Sequence, residues 1–135
     1  MKTMQRLSLC VALSLFAAHS WAQANEAFTI PSRAPESAQE TAAKQVVLNW
    51  FRLVFIEGNA QEAFSAYASR DFVEHSRRAR GGYESTLTML SKMPPRELHP
   101  QAVVNDEIVF VQSEIGKEVF RVQNGKITDH WEVNP

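Results

Sequence analysis

The sequence has a single cysteine, Cys10, and it falls inside an N-terminal apolar stretch. The rest of the chain therefore forms no disulfide and offers no thiolate as nucleophile or metal ligand. Glycine is scarce, five residues in 135. None builds a Gly-x-Ser-x-Gly elbow or a phosphate-cradling loop, which disfavours serine hydrolase and nucleotide-dependent chemistry. An excess of either charge is missing too: 14 basic residues face 15 acidic ones, net −1. That balance gives no reason to expect nucleic acid or an anionic membrane as partner. No apolar run reaches the ~20 residues that span a bilayer. There is no internal repeat and no low-complexity segment. Stability has to come from packing, and eight Phe, three Trp and abundant Val supply the apolar area.

The first segment reads as an address. Lys2 and Arg6 make a basic start without acids, and Leu7 to Ala18 is an apolar run of signal-peptide length. Small residues in Ser20-Trp21-Ala22 and Ala22-Gln23-Ala24 predict cleavage after Ala22 or Ala24. Leu9 stands where a lipoprotein box needs a small residue, so lipidation is disfavoured. Export is expected, to a periplasm or beyond, with no stable membrane insertion after cleavage. Losing Lys2 and Arg6 takes the net charge from −1 to −3. Residues 1–24 are read as signal and cleavage region, 25–36 as a linker with two prolines, and 37–135 as one domain.

Within that domain, Ser37-Ala38-Gln39-Glu40 fits a capping box. Ala43, Val46, Val47, Trp50, Leu53, Val54 and Ile56 then recur at helical spacing, and Gly58 ends the run. Asn59-Ala60-Gln61-Glu62 starts a second, short helix with Ala63, Phe64, Ala66 and Tyr67 on its apolar side. Phe72 and Val73 follow as expected buried anchors. Arg77, Arg78, Arg80, Gly81 and Gly82 read as a polar loop. Tyr83 to Met93 gives a third helix, stopped by Pro94-Pro95. From His99 onward the period is two: Gln101–Asn105, Ile108–Val111, Val119–Gln123 and Lys126–Val133. Asn124-Gly125 makes the turn between the last two. Three N-terminal helices followed by a mainly antiparallel sheet is an α+β arrangement. Strict alternation along Lys126–Val133 puts Thr128, His130 and Glu132 on one face. It puts Ile127, Asp129, Trp131 and Val133 on the other.

Several stretches occur in a telling order. They are Trp50-Phe51 to Phe55, Glu57-Gly58-Asn59, Tyr67, Asp71-Phe72-Val73-Glu74-His75, Phe120-Arg121, and Gly125-Lys126-Ile127 to Asp129-His130-Trp131-Glu132. Together they resemble the SnoaL-like polyketide cyclase family, within the nuclear transport factor two-like superfamily. The resemblance spans about Thr41 to Val133, and its last stretch is the most specific part. It implies a cone, with a curved sheet wrapping helices around an apolar pocket. Members often dimerise through the sheet. Some catalyse intramolecular aldol cyclisation with a carboxylate base and a nearby histidine; many have no known activity. Here Glu132 stands where Asp is usual, Ser76 where Asn is common, and Glu118 near a frequent Asp. The Ile115-Gly116-Lys117 connection is short for the family, which should shrink or open the pocket mouth.

The candidate catalytic residues are His130, Glu132 and His75. A same-face His130/Glu132 pair in a dry pocket could move a proton next to a carbonyl, since burial raises a carboxylate pKa and lowers a histidine pKa. The plainer alternative is a histidine hydrogen-bonded within the sheet beside an exposed Glu132. Glu74 and His75 point opposite ways on an extended segment, and His75 is expected to face inward. Trp50 and Tyr67 are the candidate ligand-binding residues. His75, His99, His130 and Glu132 show no local metal-ligand spacing, so no metal and no cofactor is expected. Two readings stay open. One is a cofactor-independent isomerase or lyase acting on a small hydrophobic molecule. The other is a non-catalytic ligand-binding or homodimeric interaction module.

Overall fold

The computed structural model describes residues 33–77 and 79–133. The expected signal region 1–24, residues 25–32 of the expected linker, and Arg78 lie outside the described residues. From Pro35 onward the chain forms one unit.

Helix α1 spans Ala38–Phe51. Its capping box is complete. Ser37 Oγ accepts from Glu40 N–H at 3.1 Å, and Glu40 Oε2 accepts from Ser37 N–H at 2.8 Å. The predicted single helix to Glu57 is instead split, because Arg52–Ile56 winds as a π-helical segment. This widened turn redirects the last carbonyls, and Phe55 O accepts from Arg96 N–H at 2.8 Å, tying down the loop after the third helix. Gly58 then adopts φ +70. Helix α2, Ala60–Tyr67, is capped by Asn59, whose side chain accepts from Glu62 N–H. Helix α3 covers Tyr83–Leu90.

Strand β1, Ala68–Glu74, and the two-residue β2, Gly81–Gly82, separate α2 from α3. The expected order of three helices and then strands is corrected accordingly. The mixed polar and apolar letters of Ala68–Glu74 hid a strand whose partners are the two-residue β2 and a strand far along the chain, Lys126–Val133. Strands β3 (Gln101–Asn105), β4 (Ile108–Ser113), β5 (Gly116–Gln123) and β6 (Lys126–Val133) follow. The sheet order is β2-β1-β6-β5-β4-β3. Only β1 against β6 is parallel. This is α+β with helices packed on a mixed six-stranded sheet.

One face of the sheet carries the core: Val104, Val109, Val111, Phe120, Val122 and Ile127 pack against Val47, Trp50, Phe51, Val54 and Phe64. Trp50 is central, with Phe55, Phe64 and Phe120 rings 5.4–5.9 Å from its own. The opposite face leaves Val73, Val103, Phe110 and Val133 exposed.

Strict alternation fails once in β6. Val122 pairs with Ile127 and Arg121 with Asp129, so Thr128 is an extra, unpaired residue. This bulge puts Ile127 and His130, three apart, both on the inner side, and corrects the face assignment made from period two.

Candidate active site

The inner ends of β1, β5 and β6 converge on one histidine. Along β1, Phe72 is buried and fixes the inward phase, which carries Glu74 inward with it. Along β5, the buried Phe120 and Val122 do the same for Glu118. The bulge in β6 brings His130 between them. All three polar residues are deeply buried: Glu74 is 3% exposed, His130 6% and Glu118 7%.

His130 Nδ1 lies 2.6 Å from Glu74 Oε2. Glu74 Oε1 accepts two further bonds, from Ser76 N–H at 2.9 Å and from Ser76 Oγ at 2.7 Å. Both oxygens of Glu74 are thus committed. On the other side of the ring, His130 Nε2 is 3.5 Å from Glu118 Oε2, an ion-pair contact too long for a good hydrogen bond. Neither atom has a hydrogen-bond partner among the described residues. The imidazole is stacked on Phe120 at 4.6 Å and tilted against Trp50 at 6.2 Å.

The electrostatics follow from this sandwich. Burial alone would push the His130 pKa down, but the two flanking carboxylates, Glu118 and Glu74, outweigh it and raise it to about 9. His130 is therefore an imidazolium at neutral pH, against the expectation that burial would lower it. Burial works to raise Glu74, but the His130 bond and charge and the two Ser76 donors hold it below the usual carboxylate range.

This trio forms one wall of a cavity of about 320 Å³. Trp50, Phe55, Leu90, Met93 and Ile115 line its apolar side. Arg96, Lys117 and Glu132 sit at its exposed rim. Its mouth includes the short Ile115-Gly116-Lys117 connection. Among the described residues there is no cluster of three or more His, Cys, Asp or Glu side chains that could hold a metal ion.

The sequence-nominated residues distribute unevenly over this geometry. His130 and Trp50 line the cavity. Glu132 lines it too, but on the exposed rim; the carboxylates touching His130 are Glu74 and Glu118. Tyr67 is half-buried against the core and is not a cavity-lining residue. His75 points outward, contrary to expectation, because β1 turns Glu74 inward. Its ring stacks on Trp131 at 4.5 Å, and its Nε2 is 2.8 Å from Asp129 Oδ1. Val73, expected as a buried anchor beside Phe72, is 41% exposed. Reading both as buried hid the period-two signal that places Glu74 inside. The same phase logic, counted back from Val122 through Phe120, marks Glu118.

No family model matches the chain, and no curated protein sequence matches it. Solved structures do. An NTF-2-like protein of unknown function from Burkholderia xenovorans LB400 has TM-score 0.58 at 10% identity, over 72% of this chain and 85% of its own. A protein described as a candidate SnoaL-like polyketide cyclase, from Jannaschia sp. CCS1, has TM-score 0.58 at 16% identity, over 74% and 90%. An epoxide hydrolase of the LEH-like kind from M. tuberculosis has TM-score 0.55 at 19% identity, over 69% and 82%. The chain has the nuclear transport factor two-like fold, and SnoaL-like proteins are among its structural neighbours.

Proposed function

We propose that this protein is a cofactor-independent isomerase or lyase that moves a proton next to a carbonyl in a small hydrophobic molecule. One observation carries this reading: a buried imidazolium clamped by a saturated carboxylate, Glu74, and facing a carboxylate with an unpartnered oxygen, Glu118, at a cavity wall. Glu74 already accepts three hydrogen bonds, which hold it below the usual carboxylate range and make it the weaker base. His130 already carries its proton. Glu118 is left as the base. It takes the α-proton, the C–H electron pair becomes the enolate double bond, and the carbonyl pair moves onto oxygen. Returning the proton elsewhere isomerises the substrate; attack of the enolate carbon on a second carbonyl gives the aldol product. His130 supplies fixed positive charge against the developing enolate. Structural neighbours named as a polyketide cyclase and an epoxide hydrolase support small-molecule chemistry on this fold, though one fold hosts many functions.

The test is deuterium exchange at the α-carbon of small carbonyl compounds, followed by NMR. Exchange in the native protein that drops by about 10²-fold or more in Glu118→Gln supports the reading. Binding without exchange, unaltered by the variant, turns the cavity into a carrier pocket, the alternative that its apolar lining favours.

Two further elements belong to this proposal. The basic start and the apolar run Leu7–Ala18 support export to the periplasm or beyond. The exposed apolar face formed by Val73, Val103, Phe110 and Val133 supports a homodimer through the sheet. A cone-like curvature of that sheet around the cavity is part of the same reading.

A further inference from the structure

Proton abstraction next to a carbonyl leaves negative charge on the carbonyl oxygen, and that oxygen needs donors. Three buried polar atoms of the cavity-lining residues have no hydrogen-bond partner among the described residues: Trp50 Nε1, His130 Nε2 and Glu118 Oε2. Burying such a group without a partner is costly, so three in one place is not a packing accident to be passed over. Two of them are N–H groups. Trp50 can only donate. His130 also donates through Nε2, because its ring is charged and its Nδ1 proton is engaged by Glu74. The two rings stand 6.2 Å apart at 45° to one another, against the same cavity.

We infer that the Trp50 indole N–H and the His130 Nε2–H form an oxyanion hole that grips the substrate's carbonyl oxygen, beside the Glu118 carboxylate that takes the proton. The assignment rests on the proton-transfer reading above and gives it the donors that reading requires. As Glu118 takes up a proton it loses the charge that attracts Nε2–H, and the donor turns to the oxygen that has just become negative. Donor and base are thus coupled in one step, with no further group needed to balance it.

The probe is 4-nitrophenolate, an oxyanion on a flat apolar ring, added to the Glu118→Gln protein, whose neutral amide stands in for the protonated carboxyl. The expected result is a downfield shift of the Trp50 indole N–H resonance on binding. The anion should also bind at least ten-fold tighter than neutral nitrobenzene. Trp50→Phe should weaken 4-nitrophenolate far more than nitrobenzene, erasing most of that preference, and should lower kcat for exchange about 100-fold with little change in KM. If Trp50→Phe does not fold, the indole resonance is assigned instead with Trp131→Phe in protein beginning at Asn25, which keeps only Trp50 and Trp131, and its shift decides alone. No binding, or binding with an unmoved indole and no anion preference, overturns the oxyanion hole. Deuterium exchange lost in Glu118→Gln beside an unmoved indole would leave the catalytic reading standing and this assignment fallen. A shifted indole without exchange in the native protein would do the reverse.

Discussion

At the scale of single residues, the site is a division of labour between two carboxylates on either side of one imidazole. Glu74 accepts hydrogen bonds on both oxygens, from His130 and Ser76, whereas Glu118 Oε2 has no partner among the described residues; in the proposed mechanism the first holds charge and the second is the base. Glu74→Gln should therefore lower the His130 pKa from about 9, read by NMR titration of its ring protons, because one of the two raising charges is removed. Glu132→Gln, on the rim, should leave that titration close to native. The proposed α-proton exchange should fall on the alkaline side as pH rises through about 9, where the imidazolium is lost. Sequence alone exposed part of this arrangement. His130 was legible, since a histidine in an aromatic terminal strand is rarely frayed. Its partners were not: Glu74 lies 56 positions away and Glu118 on a neighbouring strand, whereas Glu132 is two letters along. Proximity in sequence favoured the wrong carboxylate.

Elements decide whether those residues meet. The Thr128 bulge sets the phase of β6, and no pattern of hydrophobicity announces it. Deleting Thr128 should turn the bulge into a regular ladder with Ile127 and His130 two positions apart on the inner face, so the raised His130 pKa should persist in NMR titration. Inserting one residue between Asp129 and His130 should instead turn His130 off that face and abolish the raised pKa, with the sheet's circular dichroism retained. The helix starts, by contrast, were written plainly in the letters. Ser37-Ala38-Gln39-Glu40 forms the full capping box its spacing predicts, and Asn59-Ala60-Gln61-Glu62 forms half of one: Asn59 Oδ1 accepts from Glu62 N–H, but the Asn59 backbone N–H goes to Leu53 O and Glu62 takes the Asn59 side-chain amide instead. Ser37→Ala should cost about 1 kcal/mol in denaturant unfolding. Gly58 is stricter. At φ +70 a Cβ would also meet Pro95 Cγ at 2.8 Å, so Gly58→Ala should cost about 2 kcal/mol or more. The π-helical segment was invisible in sequence, since Arg52–Ile56 keeps helical periodicity while only its hydrogen-bond register changes.

For the whole molecule, the buried trio ties stability to pH. His130 has a folded pKa above its unfolded value near 6.5, so its contribution is full below pH 6.5 and drains away as pH rises through about 9. The loss is on the order of 3 kcal/mol. Glu74 is shifted downward, so its contribution is present above pH 4.5 and is lost as pH falls below that. Thermal unfolding midpoints should form a plateau between these limits, falling on both sides. The proposed dimer is tested separately: Phe110→Glu, on the exposed sheet face, should give a monomer in sedimentation while leaving the cavity intact. The α+β class was legible from the change of period at His99. The mixed topology was not, because β1 pairs with a strand more than fifty residues later. That pairing also has a bearing on timing. The last strand among the described residues, β6, is not at an edge but between β1 and β5. Until it arrives, β1 and β5 have no common neighbour and Glu74 has no imidazole to meet. A growing chain can wind α1 and α2 early, yet it cannot join β1 to β5 or bring Glu74, Glu118 and His130 together before β6 emerges.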